Sequence, residues 1–447
     1  MRRRLEDVRT LADRAAYLAP ADDAEAVVIS SASALTRFAN NRIHQNVAES
    51  DTRLSIRAVL GTRTGVASTN RLDDDSIARC AAAAVEAARH APEDPDFGGL
   101  PLPEPTVAAA RVSATTAGYD ADRRAEAARA IIGQSSARGF VAAGTVATSD
   151  FAVAVASTRG VSAAMEADDL RATVLSMGTH GGSGWASFLT SDAAAFSPSA
   201  LGSRAATTAE RSENPVALDP GVYTVVLAPE AVSDILDFLG YLGFGAKSFS
   251  EGGSFLTEAI GTSVVDERIS IYDDALSPGT IGLSFDFEGQ PKRRTPLIAG
   301  GVAVGPVTDS HYARKLGLPN TGHALPAPNP YGPMPLNLEL ATGDTTEAEM
   351  IASVDRGIYV TRFHYVNVED PMKVVLTGMT RDGTFLIENG EFSTPVRNLR
   401  FTQGVLDALS HVGAIGSRRA LIGPGEGGAT LVPAMLLEKW EFTGQTG

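Results

Sequence analysis

Apolar residues recur at helical spacing in four stretches of the first half of the chain. Leu5, Val8, Leu11 and Ala15 share one side of a helix expected over 5–19. Residues 73–90 carry the strongest such pattern. Asp73, Asp74 and Asp75 open it, and Arg89 and His90 close it, the charge order that a helix dipole favours. Residues 120–137 and 200–211 complete the set. Between them polar and apolar residues alternate as in half-exposed strands, over 24–30, 35–47, 52–59, 140–148, 152–157 and 170–177. Gly61 and Gly65 punctuate a turn, His180 to Gly184 reads as a flexible loop, and the proline-rich run 91–106 is a connector.

Asn214-Pro215 and Asp219-Pro220-Gly221 break the pattern, so two domains are expected, 1–213 and 214–447. Beyond the break the chain is richer in glycine and proline. Short β-type runs fall at 223–227, 263–271, 297–304, 373–379 and 385–387, with helices at 229–242, 347–354 and 402–412. The fold class read from this is α+β: an N-terminal α/β domain of mixed strands and helices, then a β-rich C-terminal domain.

Composition narrows the functional classes. Of 447 residues, 44% are hydrophobic and 20% charged, enough apolar material for a sizeable core. The net charge of −15 argues against nucleic acid and anionic membrane surfaces as partners. The start Met1-Arg2-Arg3-Arg4 resembles a signal peptide, but Glu6, Asp7 and Arg9 follow instead of an apolar stretch. No apolar run reaches about 18 residues, so a cytoplasmic protein is expected. Cys80 stands alone in the sequence, which rules out an internal disulfide.

General motifs give little. There is no phosphate-binding Gly-Lys-Ser/Thr loop, no His-Glu-x-x-His, and Gly181 to Trp185 misses a nucleophile elbow by one residue. His311 and His323 are twelve residues apart. Acidic pairs such as Asp273-Asp274 and Asp286-x-Glu288 are numerous in a chain this acidic. An acid/base site on His311, His323 and Glu288 stays open as one reading, and a non-catalytic peptide-binding scaffold as another.

One segment is more specific. Tyr312-Ala313-Arg314-Lys315-Leu316-Gly317 through Thr321-Gly322-His323-Ala324 is similar to the Ala-Arg-Lys-Leu-Gly…Thr-Gly-His signature of PmbA/TldE proteins. Gly65 to Asn70, Ser157 to Val161, Phe285 to Gly289, Gly357 to Val360 and Leu386 to Glu391 resemble further family segments in the same order. At Thr158 and Arg159 the chain departs from the family's usual residues. On these residues the chain is identified as a member of the TldD/PmbA family, of the PmbA/TldE type.

The resemblance implies a zinc-dependent peptidase formed by a TldD–TldE pair. In TldD-like chains a His-Glu-x-x-x-His helix and a C-terminal cysteine hold the metal. Here Pro229 and Asp234 stand at the two histidine positions, Glu230 keeps the glutamate, and Gly423 to Gly427 aligns with the cysteine segment. Catalytic zinc takes three protein ligands and a water, and proline offers no donor. The resemblance therefore implies no catalytic residue and no metal in this chain. Zinc is expected in a TldD-like partner, unfolded or small peptides as substrate, and His311, Arg314 and His323 as candidate substrate contacts.

Overall fold

The computed structural model describes residues 3–107 and 111–445; of the N-terminal run read above, Met1 and Arg2 lie outside them. The first sheet is formed by β1 (Asp23–Ala39), β2 (Arg42–Leu60), β3 (Arg63–Thr69), β4 (Val141–Ser157), β5 (Ser162–Met177) and β6 (Ser183–Thr190). They lie in the order β3-β2-β1-β4-β5-β6, and every pairing is antiparallel.

Strand lengths differ from the sequence expectation. The runs 24–30 and 35–47 are not two strands: β1 continues through Ser31-Ala32-Ser33-Ala34, and the reversal falls at Asn40-Asn41. Both asparagines have positive φ, 50° and 59°, which matches the twist of a tight hairpin and which asparagine tolerates best after glycine. Likewise β4 passes through Ser149-Asp150, where a turn was expected. The ladder explains this, because Ser33 pairs with Glu49 on one side and Ser149 on the other, so polar backbone stays bonded.

Helices α1 (Leu5–Ala16), α2 (Asp74–His90), α3 (Ala121–Ser136) and α4 (Pro198–Arg211) cover one face of this sheet. Ala26, Val28, Ala152 and Ala154 pack with α1 and α2, and Phe38, Ala142, Val146 and Val174 with α3 and α4. These are alternate residues of their strands, as the two-residue period requires. Asp73 caps α2 by accepting the Ser76 N–H at 2.9 Å. The α2–β3 contact has no room for a side chain: a Cβ on Gly65 would stand 2.1 Å from the Ala88 nitrogen. The opposite face, with Val27, Phe151, Val153 and Met165, packs on Leu283 and Phe285 of the second half. Helices on one side of an antiparallel sheet give this half the mixture of strands and helices expected, within an α+β chain.

The second half contributes β7 (Gly221–Leu227), α5 (Pro229–Gly243), β8 (Ile271–Asp273), β9 (Thr295–Ala299), β10 (Val302–Ala303), α6 (Ser310–Leu316), β11 (Leu338–Leu340) and α7 (Glu347–Ala352). After these come β12 (Arg356–Asp370), β13 (Val375–Glu388), β14 (Glu391–Pro395), β15 (Leu399–Gly404), β16 (Val412–Gly425) and β17 (Gly428–Gln445). Because β17 pairs with both β15 and β7, the path β17-β15-β13-β12-β7 closes on itself as a barrel. Phe363 stacks on Trp440 at 5.1 Å between centroids, with Phe401 beside both, in the core that α5 shares.

Two expected elements change here. Only Val405–Leu409 of the predicted 402–412 helix is helical, since Leu399, Phe401 and Gln403 alternate inward as part of β15. Of the 263–271 run only Ile271 is in a strand. Among the described residues no helix is long and apolar enough to cross a membrane.

Candidate functional site

Two cavities open along the seam between the halves, and each borders residues singled out by the sequence. The first lies at the start of α5. Pro229 occupies the first helical turn, where its missing N–H is no loss, and Glu230 follows where the helix dipole favours an acid. Glu230 is only 8% exposed. Arg204 of α4 reaches it from the other half, Nη2 donating to Glu230 Oε1 at 3.2 Å and to the Ser187 carbonyl at 2.6 Å.

Asp234, one turn further, accepts the Phe363 backbone N–H on Oδ2 at 2.9 Å. Burial, with Asp237 and Glu230 adding like charge, pushes its carboxyl up to about 7. Asp237 in turn accepts the Thr430 hydroxyl.

The donor set does not fit a zinc ion. Pro229 has no lone pair to give, Glu230 is committed to Arg204, and Asp234 is committed to the backbone of β12. Among the described residues no group of three or more His, Cys, Asp or Glu side chains is placed to hold a metal. The segment aligned with the cysteine is the β16–β17 turn, and it is fastened to the first sheet. The Glu426 N–H donates to Asp169 Oδ2 at 2.8 Å, and Arg171 donates to the Pro424 carbonyl.

In front of Pro229 and Glu230 lies a cavity of about 430 Å³, walled also by Trp185, Arg204, Glu347 and Tyr359. Glu347 accepts the Tyr359 hydroxyl on Oε1 at 3.0 Å. Burial raises the Glu347 carboxyl, and it raises the Tyr359 phenol well above its ordinary value. Arg362 lies over the Trp185 ring, 4.8 Å from its centroid, and pairs with Asp382.

The second cavity, about 520 Å³, lies between β3 and the loops of the second half, bordered by Gly65, Glu288, Asp309, His311, Leu325 and Asn329. An ionic pin closes one end. Arg57 of β2 holds Glu25 of β1 and Glu288 of the second half, each at 3.0 Å, and Glu288 Oε2 accepts the Ser310 N–H opening α6. Burial lifts Glu25 to about 7, and burial together with Glu288 lifts Asp286 to about 7 and Asp309 to about 6. Arg57 thus serves Glu25, Glu288 and Asp309, while Lys292 is the cation acting on Asp286.

The three expected substrate contacts do not converge. His311 borders this cavity, its Nδ1 3.5 Å from Asp94 Oδ2. Arg314 is not among the lining residues and lies against Gly98, where a Cβ would stand 2.3 Å from its Cδ. His323 is 1% exposed. Its Nδ1 is bonded to the Thr321 hydroxyl at 2.9 Å, and its Nε2 stands 2.9 Å from Asp273 Oδ1, an ionic approach off the hydrogen-bonding direction. Burial and the neighbouring Lys292 lower the His323 pKa. Asp273, despite its own burial, is held well below the carboxylate range by Lys292 and His323. The loop turns His323 inward because Thr308 and Thr321 bond each other reciprocally. Glu288 and His311 border one cavity, but His323 is buried against Asp273, so the structure does not bring the three residues of the His311–His323–Glu288 reading into one site.

Arg57, Glu25 and Arg204 escaped the sequence reading. Glu25 left a signal, being an acid inside the otherwise apolar run 24–30; Arg204 left none.

An antiparallel sheet backed by helices on one face and docked on a closed barrel defines a two-part α+β protein. Residues 220–444 match the PmbA/TldA metallopeptidase C-terminal domain and residues 24–88 match PmbA/TldA metallopeptidase domain 1, and the chain belongs to the PmbA/TldD family. TldE from Thermococcus kodakarensis superposes with a TM-score of 0.89 at 18% identity, over 97% of this chain and 99% of that one. A metalloprotease of Methanothermobacter thermautotrophicus is 27% identical over 202 residues, 44% of this chain and 43% of that protein. The metalloprotease PmbA of Escherichia coli O157:H7 is 24% identical over 214 residues, 47% of this chain and 44% of that protein. The chain thus spans less than half the length of the two curated relatives.

Proposed function

We propose that this chain is the metal-free, TldE/PmbA-type subunit of a two-chain cytoplasmic peptidase whose zinc is carried by a TldD-like partner. The observation that carries the reading is the state of α5: the three positions that should bear metal chemistry hold a proline, a carboxylate on Arg204 and a carboxylate on a backbone amide. The names of the relatives, metalloprotease and TldE, support the same assignment. Domains 1–213 and 214–447 then act as one wall of a chamber for unfolded or small peptides, bound in extended form through main-chain hydrogen bonds. The segments 243–253 and 324–335 shape its entrance; Leu325 and Asn329 of the second border the larger cavity, as does His311.

The test is reconstitution. Purified alone, the chain is expected to contain no stoichiometric zinc and to leave an unstructured peptide uncleaved. Mixed with a zinc-bearing TldD-like chain from the same genome, it is expected to co-elute and to support chelator-sensitive cleavage. Cleavage by the isolated chain, or failure of the two chains to associate, would overturn the proposal.

A further inference from the structure

The cavity in front of Pro229 has more chemistry than an abandoned metal position needs. Its volume of about 430 Å³ falls within the range of small-ligand pockets, about 300–1,000 Å³. Charge is divided across it. Arg204 and Arg211 come from α4 in the first half, and Glu230 and Glu347 come from α5 and α7 in the second. Arg204 and Glu230 satisfy each other, but the other two do not. Arg211 makes no ion pair with a described residue; Glu347 accepts the neutral Tyr359 hydroxyl and lies in the field of Arg204 and Glu230 without forming an ion pair with a described residue. Burial already disfavours the Glu347 carboxylate, and a cation beside it relieves that cost.

Aromatic side chains line the same cavity. Tyr359 meets Phe392 edge-on at 5.0 Å, Phe392 stacks on Phe385 at 5.1 Å, and Trp185 faces the same space. An unpaired cation, a carboxylate that lacks an ion-pair partner and an apolar wall in one cavity are the complement of a small zwitterion with an apolar body.

We propose that this cavity binds free amino acids or dipeptides bearing an apolar side chain, the α-carboxylate on Arg211, the α-ammonium on Glu347 and the side chain against Tyr359 and Phe385. Such molecules are the class released by peptide hydrolysis. The inference stands on the cavity of this chain and needs neither zinc nor a partner, so its failure leaves the two-chain proposal untouched, and the reverse also holds.

The sequence has two tryptophans, and Trp440 is fully buried in the barrel, which leaves Trp185 as a reporter. Titration of the full-length isolated chain with leucyl-phenylalanine is expected to change Trp185 emission in a saturable way. N-acetylation or C-terminal amidation of the dipeptide, or Glu347→Gln or Arg211→Ala in the protein, each removes one charge-assisted contact. Each is expected to raise the half-saturation concentration about tenfold. The blocked dipeptides test the idea without any mutation, so a variant that folds poorly does not spoil the experiment. No emission change up to about 10 mM, equal binding of blocked and free dipeptides, or a signal that survives Trp185→Phe would overturn the proposal.

Discussion

The Asp234 carboxylate and the Phe363 amide are joined by a 2.9 Å hydrogen bond that ties α5 to β12 where the β12–β13 ladder is irregular. The side chain that the sequence resemblance sets against a metal-ligand position serves as part of the scaffold.

Removing that acceptor is expected to cost stability. Asp234→Ala orphans a backbone donor and should destabilise the chain by about 1–3 kcal/mol in urea unfolding, while Asp234→Asn retains an amide oxygen for Phe363 and should cost less. The two substitutions also differ from wild type in pH dependence. With the folded-state pKa raised to about 7 from the ordinary carboxylate value of 3.8, the folded protein binds the extra proton between those values. This contribution to stability is therefore greatest below about pH 4 and falls as pH rises through 7. Asp234→Asn should flatten the unfolding profile between about pH 4 and 7. A profile unchanged by the substitution would contradict the assignment.

Restoring one histidine should not restore the metal. Pro229→His supplies a donor at the first position, yet Glu230 stays on Arg204 and Asp234 on Phe363. Elemental analysis after dialysis against zinc is expected to find no stoichiometric ion in the variant. One tightly held zinc per chain would show these contacts to be dispensable.

The Arg57 pin should be worth more than a surface ion pair. It joins both halves, with Glu25 and Glu288 each at 3.0 Å and almost wholly buried. Arg57→Met leaves the carboxylates enclosed without their cation, and unfolding measurements should show a loss of about 3–5 kcal/mol. Adding Glu25→Gln and Glu288→Gln should recover part of it, since neutral amides carry a smaller desolvation cost.

Gly65→Ala is expected to destabilise at least as strongly as ordinary overpacking, about 1–3 kcal/mol. The added methyl would meet the backbone of α2 near Ala88, which cannot swing aside as a side chain can. Thermal denaturation of the variant checks this, and a wild-type midpoint would mean that α2 moves freely on β3.

Much was legible in the sequence because it is written locally. The helix over 73–90 was found almost to the residue, since apolar period, acidic start, capping aspartate and basic end all agree there. The proline at position 229 was read correctly as a helix start, because proline's fixed φ and missing N–H act on their own residue. Strand lengths were less legible. Ser31 to Ala34 and Ser149-Asp150 look like interruptions along the chain, and only the pairing of β1 with β4 makes them one continuous ladder.

What the sequence alone determined is a set of elements and which side chains, Pro229, Glu230 and Asp234, occupy the segment that resembles the metal motif, because side-chain chemistry belongs to the residue. What only the tertiary structure decided is who meets whom. Arg204 and Glu230 are 26 residues apart, and Arg57 and Glu288 are 231 apart. Contacts at such separations depend on how the two halves dock, and no local period or motif encodes them. The fate of His323 follows the same rule: its motif drew attention to a substrate contact, and the packing around Asp273 and Lys292 made it a core residue.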